Sequence, residues 1–313
     1  MALLLRRSEI EGLMDLQQAI RVLQRTYMEQ AKGGIRATPP LRLMERGIRG
    51  VAGGLTLQNR IGMRLSVTGG EPLALLFELD SGRLLTIMGF PFGLLRISAT
   101  VGLALERMAK PDIKSVALIG SGRLAPCLIE AAVAVRPIET VRVYSRSPQR
   151  REGFSRQAAR RFGVLVEAVS SPQEAIDGAD IVMVSTNSPV PTLLGKWLRP
   201  GLSVFGIGRP NEFDDDVYLK SRLIVVSSKV HELDYYDKAL DQPLIRLSGD
   251  GRIDWEKVAE LGQVVVGDIQ AHPGSDGITT FRESQGGYSD VALAAWVYEE
   301  AIKKGLGTPI DLD

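Results

Sequence analysis

Apolar side chains recur at helical spacing through the first 34 residues of the chain. Two capping boxes accompany the pattern, one made by Ser8 with Glu11 and the other by Asp15 with Gln18, and each would supply partners for the free N–H groups of a helix. The apolar positions at this spacing are Leu16, Ile20, Leu23 and Tyr27. Because such spacing places side chains on one face, the sequence predicts helix over residues 1–34.

Between residues 50 and 96 the pattern changes to short apolar runs that predict strands. The clearest runs span residues 63–67, 73–79 and 84–90. Asp80-Ser81-Gly82, between the last two runs, is a hairpin turn signal. The simplest prediction is an antiparallel sheet, followed by a helix over residues 96–110.

From residue 113 onward, short apolar strands alternate with helical or loop segments. The predicted strands span residues 115–120, 141–146, 165–169, 180–186, 203–208 and 223–228. The two clearest helices between them span residues 124–135 and 148–162. This alternation predicts a parallel sheet with helices on both faces. The expected fold class is therefore α/β, with a doubly wound parallel sheet of the Rossmann type.

The end of the chain predicts one more helix, over residues 289–305, which Ser289 could cap. We expect this helix to pack back on the N-terminal part of the chain, which makes the first domain discontinuous. The predicted division is residues 1–112 plus 287–313 for an α+β domain, and residues 113–286 for the doubly wound domain inserted in it.

The amino-acid composition says little about the fold, but it excludes several classes of binding partner. Lys and Arg total 38 against 37 Asp and Glu, a net charge of +1, so there is no basic field to favour a nucleic-acid partner. One cysteine, Cys127, excludes an internal disulfide framework, and with only two histidines we expect no metal site. No apolar run reaches the roughly 18 residues of a membrane span, and the first apolar stretch is too short for a signal peptide. We therefore expect a cytoplasmic protein with no membrane partner.

Residues 115–126, SVALIGSGRLAP, contain the G-x-G-x-x-A pattern of a dinucleotide-binding turn. A predicted strand precedes it and a predicted helix follows, which is the context that gives the pattern meaning. Gly120 permits the tight turn, Gly122 lets the backbone approach a pyrophosphate, and Ala125 lets the helix pack closely on the strand. The N–H groups at the start of that helix would face the phosphates. The residues expected to contact the cofactor here are Gly120, Ser121, Gly122, Arg123 and Leu124.

The end of the second strand distinguishes NAD from NADP, because an acidic residue there binds the ribose 2′-hydroxyl. This chain has no carboxylate at that place; Ser145, Arg146 and Ser147 occupy it, with Arg150 just beyond. Hydroxyls and arginines suit a 2′-phosphate, so the sequence favours NADP over NAD. A solvated basic start of a helix is the alternative interpretation.

A polar loop, Ser185-Thr186-Asn187, ends the predicted strand at residues 180–186. At the carboxyl end of a parallel strand it would lie in the crevice where ligands bind, so these three residues are candidate cofactor contacts. An ordinary polar turn before a helix explains the loop almost as well.

Several segments, taken in order, resemble the ornithine cyclodeaminase/mu-crystallin family across nearly the whole chain. They are LLRRSEIEGLMDLQQAI at the start, PPLR at 39–42, ELDSGRLLTIMGFPFGLLRISATVGLA in the middle, then VALIGSG, GADIVMVSTNSPVP and FRESQGGYSDVALAAWVYEEAIKKGLG. The resemblance implies a homodimer whose N-terminal domain binds substrate, mediates dimerisation and is completed by the C-terminal helix, with a Rossmann domain inserted between. It also implies NAD(P) as cofactor and a small amino or imino acid as substrate.

The same resemblance assigns the substrate carboxylate to two arginines. Arg42 in PPLR and Arg96 in LLRISA match family arginines with this role, which suits the bidentate fork of a guanidinium. Arg64 stands where the family usually has a lysine. An arginine cannot exchange protons near pH 7, but it could hold a carboxylate or polarise an imine. Three arginines together would suit a dicarboxylate.

Further departures from the family affect polar groups of the pocket. The threonine of the family's R-T-x-A segment is Ile97 here, and Ser227 stands where relatives commonly have an aspartate. Cyclodeaminases place an acidic residue after the strand at residues 203–208. None is evident in this chain, because Arg209-Pro210-Asn211 follows that strand.

At Asp290, in GGYSDVAL, the chain has the same residue as the family, and the resemblance places this residue near the active site. A carboxylate in the first turn of a helix also interacts favourably with the helix dipole, and the two interpretations carry equal weight. Glu283 lies just before it in the chain. His231, with its acidic neighbours Glu232 and Asp234, could supply an acid or a base, although a solvated helix start is the favoured interpretation.

The leading functional hypothesis is an NADP-dependent oxidoreductase that reduces a small imino acid (a ketimine) to an amino acid by hydride transfer. Arg42, Arg64 and Arg96 would hold the carboxylate, and Arg64 and Asp290 are the catalytic candidates. One alternative is the deaminating cyclisation of ornithine to proline, against which the missing acidic residue argues. Two others are a non-catalytic NADP-binding protein and a specialised biosynthetic enzyme with an altered pocket.

Overall fold

A computed structural model describes residues 1–43, 47–67, 69–234, 240–272, 277–284 and 286–311. The α-helices are α1 (Arg7–Ile10), α2 (Leu16–Ala31), α3 (Gly93–Met108), α4 (Ala125–Val135), α5 (Pro148–Phe162), α6 (Pro172–Ile176), α7 (Asp215–Leu219), α8 (Lys229–Leu233), α9 (Pro243–Gly249), α10 (Leu261–Val265) and α11 (Gly287–Lys303). The strands are β1 (Ala2–Leu5), β2 (Ile35–Ala37), β3 (Leu41–Arg42), β4 (Ile48–Leu55), β5 (Arg60–Val67), β6 (Leu73–Glu78), β7 (Leu84–Gly89), β8 (Ser115–Ile119), β9 (Thr140–Tyr144), β10 (Leu165–Ala168), β11 (Ile181–Val184), β12 (Ser203–Gly206), β13 (Ser221–Val226), β14 (Ala259–Glu260), β15 (Ile278–Arg282) and β16 (Thr308–Ile310).

Contacts divide the chain into two compact units. Unit 1 comprises Met1–Ala99, Ser228–Tyr236 and Gln285–Asp313. Unit 2 comprises Thr100–Ser227 and Asp237–Ser284. The first boundary between the two units falls inside α3, between Ala99 and Thr100. The boundary predicted from the sequence lies at residue 112, where short apolar strands begin to alternate with helical or loop segments. The division by contacts also assigns the segment from Ser228 to unit 1, although that segment follows a strand of unit 2.

The sheet of unit 1 has the order β16-β1-β7-β6-β5-β4-β2, with β3 paired to β4. Neighbouring strands from β4 to β7 are antiparallel, which confirms the antiparallel sheet predicted from the apolar runs. β1 is a strand, although the sequence predicted helix there. It pairs in parallel with β7 and antiparallel with β16, so partners distant along the chain determine its conformation.

The two predicted capping boxes have different outcomes. Asp15 accepts a hydrogen bond from the N–H of Gln18 at 2.7 Å, as predicted. The box of Ser8 with Glu11 is wrong, because α1 is already complete at Ile10. The short α1 and the strand before it replace the first part of the predicted helix, and α2 holds the rest.

Helix α11 packs on strands β4 and β5 of unit 1. The approach is close because glycine stands at the contact: a Cβ on Gly53 would lie 2.4 Å from the backbone nitrogen of Tyr288. The N-cap is Gly286 rather than the predicted Ser289, which is buried in the first turn. This packing places the first turn of α11, which carries Asp290, over the sheet.

The sheet of unit 2 has the order β10-β9-β8-β11-β12-β15-β13-β14, and all its paired strands are parallel. The strand order reverses between β8 and β11, which is the position where doubly wound sheets bind their ligands. The predicted Rossmann-type sheet is confirmed. Strand β15, which lies between β12 and β13, was not predicted, because its sequence ITTFR contains no continuous apolar run like those of the neighbouring strands.

None of the helices in the described ranges is long and apolar enough to cross a membrane. Within the same ranges, no group of three or more His, Cys, Asp or Glu side chains is placed to hold a metal ion.

Candidate functional site

The glycine turn after β8 lies at the reversal point of the unit 2 sheet. Gly120 has φ +113°, a conformation that side chains other than glycine rarely adopt. A Cβ there would lie 2.1 Å from the carbonyl oxygen of Ser185, at the end of the neighbouring strand β11. Gly120 is therefore required by the fold of the turn itself.

Gly122 differs, because a Cβ at this position would meet nothing within 4 Å. The backbone of the turn thus borders open space at the start of α4, where free N–H groups favour an anion. Arg123 is exposed beside it, and Leu124 occupies the N-cap position of the helix without a capping side-chain hydrogen bond. The turn therefore fits a pyrophosphate, since the place that the phosphates would need is left clear.

These two glycines give a matched pair of variants. Gly120→Ala is expected to lower the stability by about 3 kcal/mol, because it adds strain and a clash with Ser185. Gly122→Ala has room for its methyl group, so its melting temperature should stay within a few degrees while its affinity for NAD(P)H falls by roughly tenfold, about the effect of one displaced hydrogen bond. Thermal melting and nucleotide titration of both variants measure these effects. Normal nucleotide affinity in Gly122→Ala would contradict a pyrophosphate at this turn.

The predicted 2′-phosphate contacts lie between β9 and α5. Ser145 and Ser121 share a hydroxyl–hydroxyl hydrogen bond of 2.9 Å, which links the ends of β9 and β8. Ser147 caps α5 by accepting from the N–H of Arg150 at 3.3 Å. The side chains of Arg146 and Arg150 are both exposed. Two hydroxyls are thus used to shape the loop, and two guanidinium groups are accessible beside it.

The loop after β11 is positioned by a buried carboxylate. Ser185 is buried, Thr186 is half-buried and Asn187 is exposed. The N–H of Thr186 donates to one oxygen of Glu212, and the N–H of Gly208 donates to the other at 2.8 Å. One side chain therefore connects the loops that follow β11 and β12.

Glu212 also faces a buried arginine. Arg282, on β15, lies with Nη1 3.4 Å from the carboxylate, and both side chains are almost completely buried. Burial raises the pKa of Glu212 to about 7, although the positive charge of Arg282 and three backbone hydrogen bonds lower it. No acidic residue after β12 was evident from the sequence, because Glu212 follows the turn Arg209-Pro210-Asn211 rather than the strand itself. The sequence signal that could have found Glu212 is its position only four residues after Gly208 along the chain.

In unit 1, Asp290 joins two of the predicted substrate arginines. Nε of Arg64 donates to Oδ2 of Asp290 at 2.8 Å, and Nε of Arg96 lies 3.4 Å from Oδ1. The side chains of Arg96 and Asp290 are only 4% and 3% exposed, whereas that of Arg64 is 18% exposed. The cluster carries two positive charges and one negative charge, so it has a net positive charge available for an anion.

Arg42 lies on the same face of the sheet as Arg64. It is directly opposite Arg49 on β4, and Arg49 is opposite Ser66 on β5, two positions from Arg64. Opposite residues of antiparallel strands share a face, and α11 covers this face. Arg49 was not predicted as a site residue, because only the strand register shows that it shares this face.

His231 and Glu232 are buried, with 2% and 5% of their surface exposed. The interpretation of this stretch as a solvated helix start is therefore wrong for these two residues. Nδ1 of His231 lies 2.9 Å from the hydroxyl of Ser228. Burial lowers the pKa of His231 to about 4, as does the positive charge of Arg96, while the negative charge of Asp290 raises it. His231 is thus neutral at pH 7 and lies near the Arg64–Asp290–Arg96 cluster.

The remaining departures from the family, at positions 97 and 227, lie at buried positions of the described structure. Ser227 is buried at the end of β13, and its hydroxyl accepts from the N–H of Ser284 at 2.8 Å. Ile97 is buried on α3. Glu283, just after β15, is buried as well.

Comparison with known proteins agrees with this architecture. The family model described as "Ornithine cyclodeaminase/mu-crystallin family" matches residues 2–305. A Δ(1)-pyrroline-2-carboxylate reductase of Bacillus cereus is 31% identical over 258 residues, which cover 81% of this chain and 74% of that protein. The ketimine reductase mu-crystallin of Macropus fuliginosus is 28% identical over 235 residues, which cover 73% of this chain and 69% of that protein.

A solved structure has the same fold over nearly its full length. It is that of Thermococcus litoralis Δ(1)-pyrroline-2-carboxylate reductase in complex with NADH and L-proline, with a TM-score of 0.85 and 26% sequence identity. The match covers 98% of this chain and 100% of that chain.

Proposed function

Since this chain belongs to the ornithine cyclodeaminase/mu-crystallin family, we propose that it is an NAD(P)H-dependent oxidoreductase that reduces the C=N bond of a small imino acid to give an amino acid. The observation that carries this proposal is the pair of sites described above. A turn in unit 2 is shaped for a dinucleotide, and a buried cluster in unit 1 has a net positive charge for a carboxylate. Bacterial relatives named as pyrroline-2-carboxylate reductases support it.

The nicotinamide cofactor supplies the hydride when it is bound. The residues of the chain that would hold it are Gly120, Ser121, Gly122, Arg123 and Leu124 in the first turn, and Ser185, Thr186 and Asn187 in the loop after β11. Glu212 holds that loop in place through the N–H of Thr186.

Arg64 and Arg96 hold the substrate carboxylate, and Arg42 lies on the same sheet face for a second anionic group. Because a guanidinium stays protonated near pH 7, Arg64 fixes and polarises the substrate rather than exchanging a proton with it. A substrate imine that arrives protonated needs no lysine to act as an acid. Asp290 sets the direction of both guanidinium groups by binding their Nε atoms.

NADPH is the preferred cofactor under this proposal. Replacing Arg146 and Arg150 together with alanine is expected to weaken NADPH binding by roughly tenfold or more, because each can make a charge-assisted hydrogen bond to the 2′-phosphate. The affinity for NADH, which lacks that phosphate, should change less than twofold. Arg156→Ala, at another exposed position on α5, is the control. Equal losses for the two nucleotides would contradict the preference for NADPH.

The function is tested by nucleotide titration followed by oxidation of NADPH and NADH against cyclic imino acids and keto acids with amines. The panel compares substrates that have one carboxylate with those that have two. Turnover of an imino acid is expected. Nucleotide binding without turnover of any member would favour a non-catalytic binder, and turnover of ornithine to proline would indicate a cyclodeaminase.

The assembly that accompanies this function is a homodimer. Supporting it, the sheet of unit 1 leaves several large apolar side chains exposed in the described structure. They are Leu41, Ile48, Ile61, Val67 and Leu73. Sedimentation analysis should give twice the chain mass of 34.1 kDa.

A further inference from the structure

The face of the unit 1 sheet that carries Arg64 continues beyond the part that α11 covers. Glu299, near the end of α11, lies 3.6 Å from Arg60. Asp290, in the first turn of the helix, lies 2.8 Å from Arg64. Because β5 runs from Arg60 to Val67, the positions after Arg64 lie beyond the start of α11. The register of β3, β4 and β5 places three polar side chains on this part of the face, and they are Ser66, Arg49 and Arg42.

The charges along this face change from mixed to positive. At the end covered by α11, Arg60 stands opposite Glu78 and lies near Glu299. At the other end, among the described residues, Arg42 stands directly opposite Arg49. Like charges directly opposite each other on neighbouring strands destabilise a sheet, so the fold does not account for this pair. Positive charges gathered in one place attract an anionic ligand.

Arg49 is placed to act together with Arg64. It stands opposite Ser66, which is two positions from Arg64 on β5. Residues in this diagonal relation lie about 7–8 Å apart, within the reach of long side chains. A guanidinium binds a carboxylate through two parallel hydrogen bonds. A short carbon chain is therefore enough to join a carboxylate held at Arg64 to a second one held at Arg49.

The two arginines beyond α11 are also open to a ligand, since Arg49 is exposed and Arg42 is half-buried. We propose that Arg49, with Arg42, binds a distal carboxylate of the substrate, and that the substrate is an imino dicarboxylic acid of the size of aspartate or glutamate. This inference rests on the proposed function for the reaction and for the position of the first carboxylate at Arg64 and Arg96. It makes Arg49 a residue that determines specificity, with no part in the chemical step.

The first test measures binding and needs no turnover. L-aspartate is compared with L-asparagine, and L-glutamate with L-glutamine, by calorimetric titration of the protein saturated with oxidised nucleotide. The two members of each pair have nearly the same shape and differ in the distal charge. The acid of at least one pair is expected to bind roughly 10- to 100-fold more tightly than its amide, the range for a hydrogen bond to a charged group. Equal affinities within both pairs, or no binding of either acid, would overturn the proposal.

The second test assigns that preference to one side chain. Arg49→Ala is expected to abolish the preference for the acid and to leave the affinity for the amide nearly unchanged. Arg49→Lys keeps the charge but not the planar fork, so it should retain part of the preference. Arg36→Ala is the matched control, because Arg36 is exposed and stands opposite Gly54, on the other face of the sheet from Gly53, which contacts α11. A preference that survives in Arg49→Ala, or that Arg36→Ala abolishes equally, would contradict the assignment.

The melting temperature separates binding from folding. Arg49→Ala removes one of two like charges that stand opposite each other, so its melting temperature should equal or exceed that of the wild type. A lowered melting temperature with equal loss of acid and amide binding would show that Arg49 only supports the fold, and would overturn the proposal.

Turnover separates this inference from the proposed function. Equal kcat/KM for imino acids with one and with two carboxylates would refute the inference and keep the reductase. An acid preference that Arg49→Ala abolishes, in a protein that turns over no imino acid, would refute the reductase and keep the anion site.

Discussion

Asp290→Ala is expected to lower the free energy of unfolding by about 3–5 kcal/mol, the range for removing one partner of a buried ion pair. The carboxylate is 3% exposed and neutralises part of the charge of two arginines, one of which is 4% exposed. Without it, Arg96 becomes a buried positive charge with no counter-charge from α11. Urea denaturation measures the loss. Glu299→Ala removes an exposed carboxylate from the same helix, one that lies 3.6 Å from half-buried Arg60, and should cost no more than about 1 kcal/mol.

Asp290→Asn separates the effect on activity from the effect on stability. The amide keeps nearly the same shape and one oxygen, so part of the fold stability should return. It cannot bind both guanidinium groups as a carboxylate does, so Arg64 and Arg96 lose their fixed directions. We expect kcat/KM for the imino acid to fall by roughly 100-fold, a loss typical of misplaced substrate-binding groups, while the affinity for NADPH stays unchanged. Wild-type kcat/KM in Asp290→Asn would mean that Asp290 serves only the helix dipole.

The parts of the fold that could be predicted are those encoded by neighbouring residues. Helix α5 begins and ends where the sequence predicted, because Ser147 caps it and Gly163, with φ +69°, terminates it. Strands β1 and β15 were missed because their conformation depends on partners far away in the chain. A four-residue strand such as β1 has no period long enough to distinguish it from the start of a helix.

The same distinction applies to the candidate site. The turn at Gly120 was predictable, since the local order of strand, glycine and helix defines it. The positions of Glu212 and His231 were not, because both follow short turns whose burial depends on how other elements pack over them. Asp290 had two interpretations from sequence, and it has both environments in the structure, in the first turn of α11 and against two arginines.

Glu212→Ala is expected to destabilise unit 2 by about 3–5 kcal/mol at pH 8, the range for removing one partner of a buried ion pair, because it takes the carboxylate away from the buried guanidinium of Arg282. It also removes the acceptor for the N–H groups of Thr186 and Gly208. The loop after β11 would lose its support, so we also expect weaker nucleotide binding. Glu167→Ala breaks an exposed pair with Arg142 in the same unit and should change stability by less than about 1 kcal/mol. Denaturation and NADPH titration of both variants measure these effects.

Glu212→Gln tests the titration of this carboxyl. Burial raises the pKa of Glu212 from 4.5 to about 7, so between these values the folded protein binds a proton that the unfolded chain has released. The resulting stabilisation is complete below pH 4.5 and is lost as the pH rises through about 7. Glutamine cannot titrate, so the stability difference between wild type and Glu212→Gln should be larger at pH 5 than at pH 8. A difference that instead grows with pH would mean that Arg282 and the backbone N–H groups outweigh burial, and that the carboxylate is charged throughout this range.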